Sequence, residues 1–146
     1  MKLTVELVPK SAHFKNLRSY LTAAQWDVVR KRCYTNARYR CEICNGVGYK
    51  WPVECHEVWE YDFPRIILKD LVALCPDCHM VKHVGFAILQ GNKKHAFMHF
   101  SRINECTYVD TIKYMAEQFK EYHNRSLEPW HLDIPSINAV LAHYLE

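Results

Sequence analysis

Cys41-Glu42-Ile43-Cys44, then Glu54-Cys55-His56-Glu57, then Leu74-Cys75-Pro76-Asp77-Cys78-His79-Met80-Val81-Lys82-His83: these three stretches decide the fold. Two Cys-x-x-Cys pairs offer four thiolates in two short knuckles, as a tetrahedral zinc site requires. A His-x-x-x-His follows the second pair directly. Residues four apart share a helix face, so His79 and His83 can converge on one metal, with His56 added from the stretch before. His79 follows Cys78, and helix neighbours point about 100° apart. The spacing therefore predicts two sites back to back. One is a structural zinc on Cys41, Cys44, Cys75 and Cys78; the other is a divalent ion on His56, His79 and His83. The bland alternatives, buried core thiols and surface histidines that bind nothing, fit paired ligands in this order poorly.

The order of these ligands resembles the HNH endonuclease family, whose core is a β-hairpin and a helix gripping a metal, the ββα-metal fold. Val53 to Val58 falls where the family's first histidine line lies, and Asp70 through His83 follows its second line, "Asn-Leu-x-x-Leu-Cys-x-x-Cys-His-x-x-Lys-His". The resemblance covers roughly residues 38 to 86. The stretch from His56 to Asp62 is more loosely similar to HNH-like proteins of bacteria and their viruses. The resemblance implies phosphodiester hydrolysis with one divalent ion, through His56, Glu57, Asp70, His79 and His83. Glu57 stands where the family carries its general base, normally histidine, and a carboxylate of ordinary pKa about 4.3 is a weaker base at neutral pH. Neighbours on a strand also point to opposite faces, so His56 and Glu57 share a site only if the strand ends or twists there. A second register makes Cys55 the ligand and His56 the base; the first agrees better with Glu54 and Val58. Asp70 stands for the family's asparagine and can accept, but not donate, the amide hydrogen bonds. Lys82 is either a phosphate contact or a solvent-facing lysine.

The totals fit this reading. A chain of 146 residues, 49% hydrophobic and 24% charged, is expected to form one soluble domain. Seven cysteines, an odd number, suit metal binding in a reducing compartment better than a disulfide framework. No apolar run approaches a membrane span and the N-terminus lacks a signal-peptide pattern, so the expected localisation is cytoplasmic, with no membrane partner. The net charge of +3 permits nucleic acid as a partner without demanding it.

Outward from the core, residues 2–8 alternate as a short strand before Pro9. Thr22 and Gln25 form a capping box for a helix into the mid-thirties, with Trp26, Val29 and Cys33 on its buried face. Its other face carries Arg30, Lys31 and Arg32, which either grip phosphates or form a solvated face. Gly46 and Gly48 are expected to shape the first knuckle's turn. Strands are expected over 53–59 and 71–74, with a link over 60–69, and the metal helix from Pro76. Further helices are expected over 93–104 and from Thr107, a strand over 130–134, and a last helix capped by Ser136. Cys33, Cys55 and Cys106 read as core thiols. His13, His95, His99, His123, His131 and His143 read as surface histidines.

The fold expected is α+β in a single domain, 1–146. It has a ββα-metal core with four-cysteine knuckles at about 38–86, an N-terminal strand and helix over 1–37, and a helical extension over 87–146. The function expected is a metal-dependent HNH-type endonuclease acting on DNA. Its cofactors would be structural Zn2+ and a divalent ion at the histidines, Mg2+, Mn2+, Ni2+ or Zn2+. The alternative is a catalytically degenerate zinc module that binds nucleic acid or a protein partner.

Overall fold

The computed structural model describes residues 1–12 and 16–146, so the reading of His13 lies outside the described residues. A mixed α+β fold is built on a long hairpin, β1 Glu54–Asp62 and β2 Arg65–Leu74, turning through Phe63 and Pro64. The stretch 60–69, expected as a link, is instead strand, because Tyr61↔Ile66 and Trp59↔Leu68 continue the ladder past a bulge after Val58. β3 shrinks to His131–Leu132 and pairs parallel with Arg65 and Ile66, completing a three-stranded sheet. Trp130 meets Tyr61 and Phe63 edge-on at 5.4 and 5.2 Å, pinning the hairpin tip.

Strand alternation divides the interior into two cores, one on each face of the sheet. On one face, Cys55, Leu68, Leu71 and Ala73 pack against α1 Ala23–Asn36 and α6 Ile134–Leu145 through Val29, Cys33, Ile137 and Leu141. On the other, Leu74 and Val72 pack beneath α2 Pro76–Lys82, α3 Val84–Leu89, α4 Lys93–Asn104 and α5 Tyr108–Arg125. Val81, Val84, Ala96 and Phe100 are fully buried there. No helix among the described residues is long and apolar enough to cross a membrane.

Local signals account for most helix starts. The capping box is complete at Thr22, whose hydroxyl accepts from Gln25 N at 3.1 Å while Gln25 Oε1 accepts from Thr22 N at 2.9 Å. Thr107 and Asp110 repeat the arrangement for α5. Ser136 is not the cap of α6. Asp133 is, accepting from Ser136 N, and the Ser136 hydroxyl instead ties the helix to β2 by accepting from Leu68 N at 3.0 Å. The glycines of the first knuckle also work differently from the expectation. Asn45 supplies the left-handed residue (φ 62°), whereas Gly48 is needed for space: a Cβ there would lie 2.6 Å from Pro76 Cδ.

The N-terminal segment joins no sheet, which corrects the expected strand over 2–8. Its backbone is satisfied by side chains and a helix end instead. Asn104 Oδ1 accepts from Lys2 N and Leu3 N, Tyr114 Oη accepts from Val5 N, and Lys82 O accepts from Glu6 N. Leu3 and Val5 enter the α2–α5 core, so the intervening Thr4 and Glu6 face α2 and the hairpin.

Candidate metal centres

The first centre forms where the 41–46 knuckle meets the start of α2. Cys75 is the N-cap of α2, its sulfur accepting from Cys78 N at 3.4 Å, with Pro76 in the first turn. In the first knuckle, Cys41 Sγ accepts from Cys44 N and Cys44 Sγ from Gly46 N, at 3.5 and 3.4 Å. The four sulfurs lie within 4.8 Å of one another, and Cys44 and Cys75 are 3.7 Å apart. A tetrahedral zinc with bonds of about 2.3 Å needs sulfurs about 3.8 Å apart, so the cluster fits the ion. Hydrogen bonds from Cys75 and Cys78 hold the Cys41 thiol far below its usual range, favouring the thiolate a metal takes.

His99, expected on the surface, is buried against this centre. Its Nε2 lies 3.2 Å from Cys78 Sγ, while Arg102 donates to its Nδ1 at 3.0 Å. With Nδ1 accepting, Nε2 carries the proton and donates to sulfur, an outer-shell contact that orients the ligand. The signal was present in the sequence: Ala96, His99, Phe100 and Ile103 share one apolar helix face. His95 is the exposed member of the pair and bonds Asp77.

The second centre lies one residue further along α2. His56, buried on β1, meets His79 and His83, with ring centroids 4.8 to 5.2 Å apart. His83 ends α2, at φ −102° and ψ 46°, before the chain resumes as α3. The Nε2 atoms of His79 and His83 are 3.2 Å apart. Nitrogens about 2.0–2.1 Å from a tetrahedral ion would be spaced at about 3.3 Å.

Two carboxylates arrange the lone pairs. Glu6 Oε2 lies 2.7 Å from His56 Nε2 and Glu54 Oε2 lies 2.5 Å from His79 Nδ1. Each accepts an N–H, leaving the opposite ring nitrogen as a lone pair, the carboxylate–histidine pairing found around metals. His56 Nδ1 is left buried without a hydrogen-bond partner, an orphaned acceptor of the sort a metal satisfies. His83 keeps an exposed edge, but hydration lost where its ring meets the other two imidazoles, and then their charge, push its pKa down to about 4, so it is neutral at pH 7. His79, followed by Trp51, which donates its indole N–H to Glu54 Oε1 at 2.8 Å, holds the Glu54 carboxyl below its usual range. Glu54 was within reach of sequence reasoning, being two residues from His56 and so on the same strand face. Glu6 had no such signal.

Glu54→Gln is expected to weaken divalent-ion binding at the histidines by about 10–100-fold, with the cysteine zinc retained. Titration of the zinc-loaded protein with Ni2+ or Co2+ by calorimetry would measure it.

Other residues expected at this centre stand elsewhere. Glu57 lies on the opposite face of β1, where its carboxylate accepts from Leu17 N at 3.3 Å, because strand alternation separates it from His56. Asp70 Oδ1 accepts from Leu71 N and from the Tyr144 hydroxyl, at 2.8 and 3.0 Å, and so anchors α6 to the sheet. Tyr144→Phe should therefore cost about 1–2 kcal/mol in urea unfolding while leaving ion binding at the histidines unchanged. Lys82 turns inward and donates to Thr4 Oγ1 at 2.9 Å, and burial lowers its pKa. Arg30 and Lys31 share Asp27 as ion-pair partner, and Arg32 donates to the Glu146 carbonyl. Cys33 and Cys55 are core thiols, and Cys106 is half-buried beside the Thr111 hydroxyl.

The protein thus has a four-cysteine cluster and a histidine trio, each able to hold a metal ion. Comparison of the chain with known protein families, curated proteins and solved structures finds no match.

Proposed function

We propose that this protein is a metal-dependent phosphodiester hydrolase of the HNH endonuclease kind, acting on DNA. In this reading β1, β2 and α2 form a ββα-metal core and the four-cysteine cluster holds a structural zinc. The observation that carries the reading is the convergence of the three imidazoles, with His56 Nδ1 buried and unpartnered among them. A divalent ion held there supplies Lewis acidity, lowering the pKa of a water and neutralising charge that develops on phosphate oxygens. Glu6 and Glu54 fix the His56 and His79 tautomers, so their lone pairs meet the ion without reorganisation. The neutral imidazole of His83 needs no deprotonation to join them.

Glu57 stands on the far face of β1, and the carboxylates at the centre, Glu6 and Glu54, are engaged by His56 and His79, so activation of a water would rest on an ion held by the three imidazoles. The same observation favours a second reading, a zinc-scaffolded module that binds nucleic acid without cutting it. The two are separated by incubating the protein with supercoiled plasmid in Mg2+, Mn2+, Ni2+ or Zn2+. Nicking in at least one ion is expected. If no ion supports nicking while the cysteine zinc is in place, the binding module becomes the better reading.

A further inference from the structure

A groove of about 490 Å3 opens beside the histidine centre and includes Glu54 and His79 in its lining. Its other walls carry two guanidinium groups, Arg18 and Arg30, and the aromatic faces of Trp26, Tyr39 and Trp51. Tyr39 and Trp51 are 49% and 51% exposed, so their rings are open to a ligand. The Arg18 guanidinium lies over the Trp26 ring at 5.0 Å, and among the described residues no carboxylate stands within ion-pair distance of it. Arg30 is ion-paired with Asp27, which it shares with Lys31, so Arg18 is the guanidinium of this wall without an ion-pair partner among the described residues. Trp51 is joined to the metal centre by hydrogen bonds, through Glu54 to His79. On the other side of the same two residues, a second cavity of about 480 Å3 runs past Met80, His83 and Phe86. Glu54 and His79 thus line both cavities and His83 the second, while His56 is buried.

We propose that the first groove holds an unpaired polynucleotide strand, with bases stacked on Tyr39 and Trp51 and flanking phosphates on Arg18 and Arg30. Cations track a phosphate backbone in either a single strand or a duplex, but aromatic faces add affinity only where bases are unstacked and turned outward. A duplex hides its base faces, so this combination selects single-stranded regions. Stacking is open to every base, so recognition is tolerant of sequence. The inference deepens the phosphodiesterase reading by naming its substrate class. It rests on that reading for what happens at the histidines, and occupancy of the groove is tested by binding alone.

The test uses the full-length, zinc-loaded protein without an added second ion. Fluorescence anisotropy compares labelled oligothymidine and oligouridine of about twelve nucleotides with a DNA duplex of the same length. The single strand is expected to bind at least about ten-fold tighter than the duplex, with Tyr39→Ala and Arg18→Ala each weakening it by about ten-fold. Zinc content and circular dichroism establish that the variants fold; Trp51→Ala replaces Tyr39→Ala if the latter does not. The thymidine and uridine arms show whether DNA or RNA is preferred. Equal or tighter duplex binding, or unchanged single-strand affinity in the Arg18→Ala/Tyr39→Ala double variant, overturns the proposal. Groove-dependent binding without cleavage of the plasmid or of either single strand in any ion keeps this inference and rejects the hydrolase. Nicking without groove-dependent binding does the reverse.

Discussion

His83→Ala is expected to abolish plasmid nicking, by at least about a thousand-fold or about 4 kcal/mol of transition-state stabilisation, while the protein keeps its fold and its cysteine zinc. The side chain sits at the end of α2, where the chain has already left helical geometry, and its Nε2 faces His79 Nε2 at 3.2 Å. Its ring fills no part of either buried core. Truncation therefore removes one of three candidate ion ligands without opening a cavity, and two imidazoles would bind a divalent ion far more weakly than three. The assay is nicking in the ion that supports wild-type activity, alongside metal content and thermal unfolding. A variant that cuts at the wild-type rate would remove the histidine centre from the chemistry.

Cys78→Ser is expected to have the opposite character, loss of the folded domain. Cys78 is fully buried, packs in the α2–α5 core and accepts the His99 N–H through its sulfur. Structural zinc contributes about 10 kcal/mol or more to folding of small metal domains, comparable with the whole stability of a typical domain at about 5–15 kcal/mol. The variant should lack a cooperative thermal transition and bound zinc, and strong chelators should bring the wild type to the same state. A Cys78→Ser protein that unfolds cooperatively at the wild-type temperature would show that the cysteines do not hold the fold.

The contrast follows from the geometry of α2. Cys75 caps it, Cys78 faces inward to the sulfur cluster, and His79 and His83 face the hairpin. A seven-residue helix thereby serves two centres with adjacent residues, and folding around the first orients the ligands of the second.

What the sequence by itself determined is what local geometry governs. Two residues between cysteines make a knuckle, three between histidines put both on one helix face, and Thr22 with Gln25 starts a helix whatever surrounds it. The two clusters able to hold a metal and the major helices were legible for that reason. The strand partition was less so, because Tyr61 to Leu68 becomes strand by pairing across the hairpin rather than by its own alternation. Tertiary structure alone decided which groups serve the ligands. Glu6 reaches His56 only because Asn104, Tyr114 and Lys82 dock the N-terminal segment, contacts between residues far apart in the chain that leave no periodic trace. It also decided that Glu57 and Lys82 turn away from the histidines. One sits on the far face of a strand and the other is drawn inward to Thr4, since side-chain direction depends on what packs against each face.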